Sequence, residues 1–250
     1  MNSNTQINTD SNIKKEISER ITSIDWNVVI NELDTKGYSL VSQFLPAKYC
    51  TKLIDEYDNP SLYRKTINMQ RHNFGLGEYR YFKYPLPDPI GLIRKEIYPK
   101  IVPIANRWMS FVNRNERFPD NFYELKSICN ENGQKQPTVL ILKYTRGGYN
   151  TLHQDLYGVI FFPFQLVFLL SRPNHDFTGG EFVLTQQNPR AQSKAIVLNP
   201  MLGDMIIITT NFRPIRGNKG YYKVQMRHGI SEVQSGKRYT LGIIFHDAAS

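Results

Sequence analysis

His153 and Asp155 stand two residues apart in the stretch Gly147-Gly148-Tyr149-Asn150-Thr151-Leu152-His153-Gln154-Asp155. In an extended segment, side chains at i and i+2 leave the same face, so one imidazole and one carboxylate converge on one point. They make two-thirds of a facial metal triad, the donor set that suits Fe(II) and leaves coordination positions open. The chain has five histidines, and His228 is the candidate third ligand. It lies near the end of the β-rich run Tyr221 to Val233, and the strand-like segments between the two motifs suffice for one turn around a barrel.

Arg238 extends the pattern. A turn at Gln234-Ser235-Gly236-Lys237 predicts a hairpin in which His228 opposes Gly242. Arg238 then lies about four residues along the same face, roughly 13 Å by strand rise. Guanidinium grips a carboxylate bidentately in a dry pocket, and glycine opposite the metal ligand leaves room. The spacing asks for a cosubstrate with a carboxylate at one end and metal-chelating atoms at the other.

The elements that must hold these groups follow from periodicity. Residues 1–12 are rich in Asn, Ser and Thr and read as an unstructured tail. Ile13, Ile17, Ile21, Ile24, Val28 and the Val29/Ile30 pair predict helix to Leu33, broken near Ser23-Ile24-Asp25 and ended by Gly37. A short strand, Tyr38 to Val41, and a helix from Pro46 to Tyr57 follow. Residues 64–84 read as a strand pair turning at Gly75-Leu76-Gly77-Glu78, and Ile90 to Val112 as a helix kinked or divided by Pro99 and Pro103. Another helix starts at Pro119-Asp120 and stops at Gly133. After Pro137 the texture changes to short strands between Thr138 and His246, punctuated by Gly179-Gly180, Asn199-Pro200, Gly203-Asp204 and Arg216-Gly217-Asn218. The plan is α+β: one unit over 13–250, with a helical half (13–137) packed on a β-barrel (138–247).

Composition limits the partners. Hydrophobic residues make up 40% of the 250, enough for a sizeable core. Thirty-one Lys and Arg against 22 Asp and Glu give +9, which favours acidic partners, nucleic acid among them. Cys50 and Cys129 have no metal or disulfide spacing, and Cys129 falls on an apolar helix face. The polar N-terminus has no signal-peptide core and no apolar run reaches membrane-spanning length, so a cytoplasmic protein without a membrane is expected.

The set His153, Asp155, His228 and Arg238 resembles the Fe(II)/2-oxoglutarate-dependent dioxygenases, whose pattern is His-x-Asp, a distal His and then Arg or Lys about ten residues on. Lys143 to Tyr149, Gly179-Gly180-Glu181-Phe182 and Gly203-Asp204 are similar to flanking segments of that family. Within it, Phe74 to Tyr79, Tyr84 to Pro87, His153 to Gly158, Asp176 to Leu184 and Leu241 to Asp247 resemble a bacterial group described as oxygenases acting on damaged DNA. The resemblance implies a double-stranded β-helix (jelly-roll, cupin-like) core, with His153, Asp155 and His228 as iron ligands. Arg238 and Tyr144 would hold the distal carboxylate of 2-oxoglutarate, and 2-oxoglutarate and dioxygen would be the co-reactants. It implies hydroxylation or oxidative demethylation of a substrate C–H, with alkylated nucleic acid as one candidate substrate.

Other readings compete. The stretches around the two motifs are also similar to prolyl hydroxylases, which makes a protein side chain the alternative substrate. A non-catalytic metal or nucleic-acid binding protein on the same barrel is the third reading. The basic and aromatic residues of 64–84 suit a nucleic-acid surface, or equally a half-buried strand pair with a solvated face. The loop 211–223, with Arg213, Arg216, Lys219 and Lys223, can contact phosphate or be simply solvated, and Arg190 and Lys194 are similar. His246 shares a strand face with Arg238, which would let it enter the site, and reads otherwise as a structural histidine beside Asp247. His72 and His175 read as surface.

Overall fold

The computed structural model describes residues 3–250, with side chains from Ser11 onward. Its helices are α1 (Ser3–Ser23), α2 (Trp26–Lys36), α3 (Ala47–Asp55), α4 (Asp88–Phe111) and α5 (Phe122–Glu131). Its strands begin with β1 (Tyr38–Val41), β2 (Tyr63–Asn68), β3 (Gly75–Leu76), β4 (Glu78–Phe82), β5 (Leu140–Thr145), β6 (Tyr149–His153) and β7 (Phe164–Leu169). They continue with β8 (Phe177–Gly179), β9 (Phe182–Gln187), β10 (Ser193–Leu198), β11 (Met205–Thr209), β12 (Phe212–Gly217), β13 (Gly220–Ile230) and β14 (Val233–Ile244).

Two antiparallel sheets result. The larger runs β1-β11-β7-β14-β5-β4-β2, with β8 on β14; the smaller runs β10-β9-β13-β6-β3, with β12 on β13. Strand alternation divides the apolar residues of the larger sheet between its two faces. Leu166, Phe168, Met205, Ile207, Leu241 and Ile243 pack on the helices, while Val167, Leu169, Ile206 and Ile208 pack on Phe182, Leu184 and Ile230 of the smaller sheet. Both faces of β7 and β11 are therefore buried, and both strands are apolar apart from Gln165 and Thr209. The facing sheets form the jelly roll as an open sandwich, not a closed barrel.

The helical layer follows the sequence with three changes. Asp25 caps α2, accepting from the Asn27 and Val28 amides at 3.0 and 3.3 Å, so the expected break falls there. The helix before it begins at Ser3, where a tail of 1–12 is expected; no Pro or Gly interrupts it, and Met1 and Asn2 lie outside the described residues. α4 is one helix and is not divided, because Pro99 and Pro103 both lie on its exposed side while Ile93, Ile97, Ile101, Ile104 and Trp108 anchor the other. The third change concerns residues 75–76. They do not turn the β2–β4 pair but form β3, a strand of the opposite sheet, paired with Tyr149 and Asn150. Gly75 permits this at φ +132°, since a Cβ there would lie 2.3 Å from the Tyr149 carbonyl.

The C-terminal end is fastened to the helices by a buried ion pair. Arg94 of α4 donates to Asp247 Oδ1 and to the Phe245 carbonyl, each at 2.7 Å, and to the Tyr84 hydroxyl at 2.7 Å. This fixes the end of β14, the strand that carries Arg238, relative to the helical layer.

Candidate active site

His153 ends β6 and is the register partner of His228 on β13, so two imidazoles face each other across one strand pair. Their ring centroids are 4.2 Å apart. The register shifts between His228 and Ile230. Gly229 sits in this bulge, where a side chain would strike the Asn150 carbonyl. Beyond His153 the chain leaves the strand and is pinned from both sides. Gln154 Nε2 donates to the Asn211 and Met226 carbonyls at 2.8 and 2.9 Å, and the Asp155 amide donates to the Thr210 carbonyl at 3.2 Å. Pinning the middle residue of His153-Gln154-Asp155 turns both flanking side chains inward.

The three predicted ligands meet there. Asp155 Oδ2 lies 3.2 Å from His228 Nε2 and Oδ1 lies 3.7 Å from His153 Nε2. One donor atom from each residue falls within 4.8 Å of the other two, a group able to hold a metal ion. His153 Nδ1 faces the Thr151 carbonyl at 2.8 Å, which fixes the proton on Nδ1 and leaves Nε2 free as a ligand. Tyr157 donates to Asp155 Oδ1 at 2.7 Å. Burial by itself would raise the Asp155 carboxyl. The hydrogen bond and charge of His228, the His153 ring and the Tyr157 hydroxyl outweigh it and hold the group well below the usual carboxylate range.

Arg238 arrives from the other sheet. The expected hairpin does not form: Ser231 and Glu232 carry the chain across the gap, and β14 already includes residues 234–237. His228 therefore opposes Leu184 and His153, and Gly242 opposes Leu140 and Val167. Apolar inner faces drive this crossing, since β13 and β14 each bury one face against the other sheet. Arg238 still points inward, as the register partner of Tyr144 on β5. It is 1% exposed and donates to Thr240 Oγ1; its Nε has no partner, and no carboxylate pairs with it among the described residues. Burial pulls its guanidinium down to about 10, still charged at neutral pH. Gly180, at φ +64°, makes space for it, because a Cβ there would lie 2.9 Å from Arg238 Cδ. The Tyr144 hydroxyl is fully buried and also unpartnered, with Asn150 close by at a geometry short of a hydrogen bond.

A cavity of about 210 Å³ joins the triad to Tyr144 and Thr240, walled by Leu140, Leu142, Val167 and Phe182. Gln154, Tyr157 and Gln165 belong to this site although their types and spacing give no signal; only their place in the pinned turn or on an inner face does so. The other candidates separate from it. Arg64 lies over the Tyr81 ring at 4.6 Å, and Arg80 pairs with Asp58 and Glu78, so much of the 64–84 stretch is internally engaged. Residues 211–223 form a β12–β13 hairpin, in which buried Arg213 bonds Gln186 and the Asp34 carbonyl. His72 and His175 are exposed.

His246 is fully buried, and its Nδ1 accepts from the Phe162 amide at 3.0 Å. Burial pushes its imidazole down to about 3, with the charge of Arg94 adding to the effect. The unfolded chain takes up this proton near the ordinary value of about 6.5. Stability is thus kept above that pH and lost as pH falls toward 3. His246→Gln, which keeps an acceptor for Phe162, should flatten this loss; urea unfolding at pH 7.5 and 4.5 measures it.

Residues 77–248 match the family Oxygenase-NA, described as an oxygenase catalysing oxidative methylation of damaged DNA. The chain belongs to this family. The match spans all five candidate site residues, Tyr144, His153, Asp155, His228 and Arg238. As a member of Oxygenase-NA the protein is an oxygenase, hence an oxidoreductase. Uncharacterized proteins from two Mycobacterium tuberculosis strains, CDC 1551 / Oshkosh and ATCC 25618 / H37Rv, are each 43% identical over 168 residues, covering 67% of this chain and 72% of theirs. Among solved structures, a Pseudomonas putida prolyl-4-hydroxylase has a TM-score of 0.51 at 13% identity, over 89% of this chain and 100% of that one. A Trichoplax adhaerens prolyl hydroxylase in complex with a hypoxia inducible factor peptide fragment has 0.52 at 14%, over 92% and 91%. These likenesses show that the Oxygenase-NA chain shares the prolyl hydroxylase fold. No helix of the described residues is long and apolar enough to cross a membrane.

Proposed function

We propose that this oxygenase uses Fe(II) and 2-oxoglutarate to oxidise a C–H bond of alkylated nucleic acid. One observation carries the cofactor reading: a single cavity is lined by a His-Asp-His group and by Tyr144 and Thr240, the two residues beside which the buried, carboxylate-free Arg238 is set. A guanidinium left without an anion in so dry a place fits a ligand that brings its own carboxylate. The donor set fits Fe(II), being two imidazoles and one carboxylate.

Iron with bound 2-oxoglutarate supplies the oxidation of a substrate C–H by dioxygen, giving succinate and carbon dioxide. The chain's residues do the rest. His153, Asp155 and His228 hold the metal; the Thr151 carbonyl and the Tyr157 hydroxyl fix the orientation of two of these ligands. Arg238 and Tyr144 hold the distal carboxylate, with the phenol kept protonated by burial and so available as a donor. Leu140, Leu142, Val167 and Phe182 keep water from the cosubstrate.

Two features support nucleic acid. The family description names damaged DNA. Also, no strand of the smaller sheet carries a carboxylate, whereas Lys194, Arg216, Lys223 and Arg227 on it are exposed. Cations without local anions are what a phosphate backbone pairs with. Wild-type protein with Fe(II) should convert 2-oxoglutarate to succinate, and His153→Ala should reduce this to background. Equal turnover in both proteins would refute the metal assignment. A methylated oligonucleotide should lose its methyl group by mass; hydroxylation of a peptide instead would assign the substrate to protein side chains.

A further inference from the structure

Gln165 is the one inner-face position of β7 that is polar; Val167 and Leu169, the next two on that face, belong to the apolar contact between the sheets. Its register partners, Ile208 on β11 and Ile244 on β14, are apolar as well. Gln165 is 2% exposed, and its Nε2 is buried with no hydrogen-bond partner. Leaving a buried amide unpaired is destabilising, because its lost hydration is not replaced. Leucine would fit these neighbours without that cost. Gln165 nevertheless lines the same cavity as Asp155, Tyr157 and Gly242, so a ligand in that cavity is the partner the amide lacks.

Register decides which part of the ligand. Arg238, Thr240, Gly242 and Ile244 are successive inner-face positions of β14, and Gln165 is level with the last of them. The two polar anchors are thus six residues apart along the strands, roughly 20 Å by strand rise. Extended arginine and glutamine side chains together cover about half of that distance, and the remaining length, on the order of 10 Å, suits a five-carbon diacid with a hydrogen bond at each end. We propose that Gln165 is a positioning residue that donates its amide to the metal-side carboxylate of the 2-oxo acid, opposite the end held by Arg238. Rotation of the planar amide presents its NH₂ to the cavity. This inference rests on the 2-oxoglutarate reading above.

Calorimetry with Mn(II), which permits binding without turnover, tests it. The probes are 2-oxoglutarate and pyruvate, a 2-oxo acid without the distal carboxylate. Gln165→Leu should weaken both by the same factor, about tenfold as for loss of a charge-assisted hydrogen bond, and leave Mn(II) affinity without a 2-oxo acid unchanged. Gln165→Glu, similar in shape but anionic, should bind both more weakly than the leucine variant. If Gln165→Leu binds both probes as wild type does, or loses 2-oxoglutarate but not pyruvate, the assignment is overturned while the cosubstrate reading stands. If wild-type protein binds no 2-oxoglutarate, the cosubstrate reading itself fails, and this inference with it.

Discussion

Arg238→Met should bind 2-oxoglutarate at least about 100-fold more weakly than wild type, the low-to-middle part of the 2–5 kcal/mol cost of truncating one member of a buried charge pair. The same substitution should leave the protein without cosubstrate as stable as wild type, or more so. A guanidinium in this position has lost its water and gained the Thr240 hydroxyl and the faces of the Tyr144 and Phe177 rings, with no carboxylate in return. Replacing such a charge by an apolar side chain of similar volume is commonly neutral or stabilising. Two opposite changes from one substitution distinguish a binding residue from a structural one. Calorimetry gives the first, and thermal unfolding without ligand gives the second. A clear fall in melting temperature together with unchanged 2-oxoglutarate affinity would mean that Arg238 supports the fold and not the ligand.

Asp155→Asn should lower Mn(II) or Fe(II) affinity by at least about 100-fold, more than the loss expected from removing an outer hydrogen bond to a ligand. Asparagine keeps the shape but removes the single negative charge of the triad. The surroundings are built for that charge: His228 and His153 lie against its two oxygens and Tyr157 donates to one of them. The affinity of Tyr157→Phe should lie between those of Asp155→Asn and wild type if the hydroxyl only orients the carboxylate. Metal titration by calorimetry reads all three proteins, with circular dichroism to establish that each is folded. Undiminished metal affinity in Asp155→Asn would remove the carboxylate from the proposed ligand set.

The parts of this protein that were legible from its residues are those governed by local rules. The His153-Gln154-Asp155 spacing brings two donors to one face in any extended segment. The Ile and Leu periodicity marked the helices, and the short apolar runs after Pro137 marked the strands. Side-chain chemistry alone nominated Arg238 as the grip for a carboxylate. Pairing between distant segments is a different matter, because alternation along a strand says which face a residue occupies but not which strand lies beside it. A hairpin between β13 and β14 was compatible with every local signal, as was a turn at Gly75 to Glu78. The tertiary structure rejected both: β13 and β14 each bury an apolar face against the other sheet, and β3 pairs with β6 of the smaller sheet. Gln154, Tyr157 and Gln165 were invisible for the same reason. Their meaning lies in what surrounds them: a pinned turn, a carboxylate 2.7 Å away, an apolar wall with one unpaired amide. Residue types and spacing therefore determined the chemistry that this chain can host, a triad able to hold a metal ion and a buried cation. Only the packing of one sheet over the other determined that the triad shares a cavity with Tyr144 and Thr240, the neighbours of Arg238, because burial of both inner faces is a property of the whole fold and of no single segment.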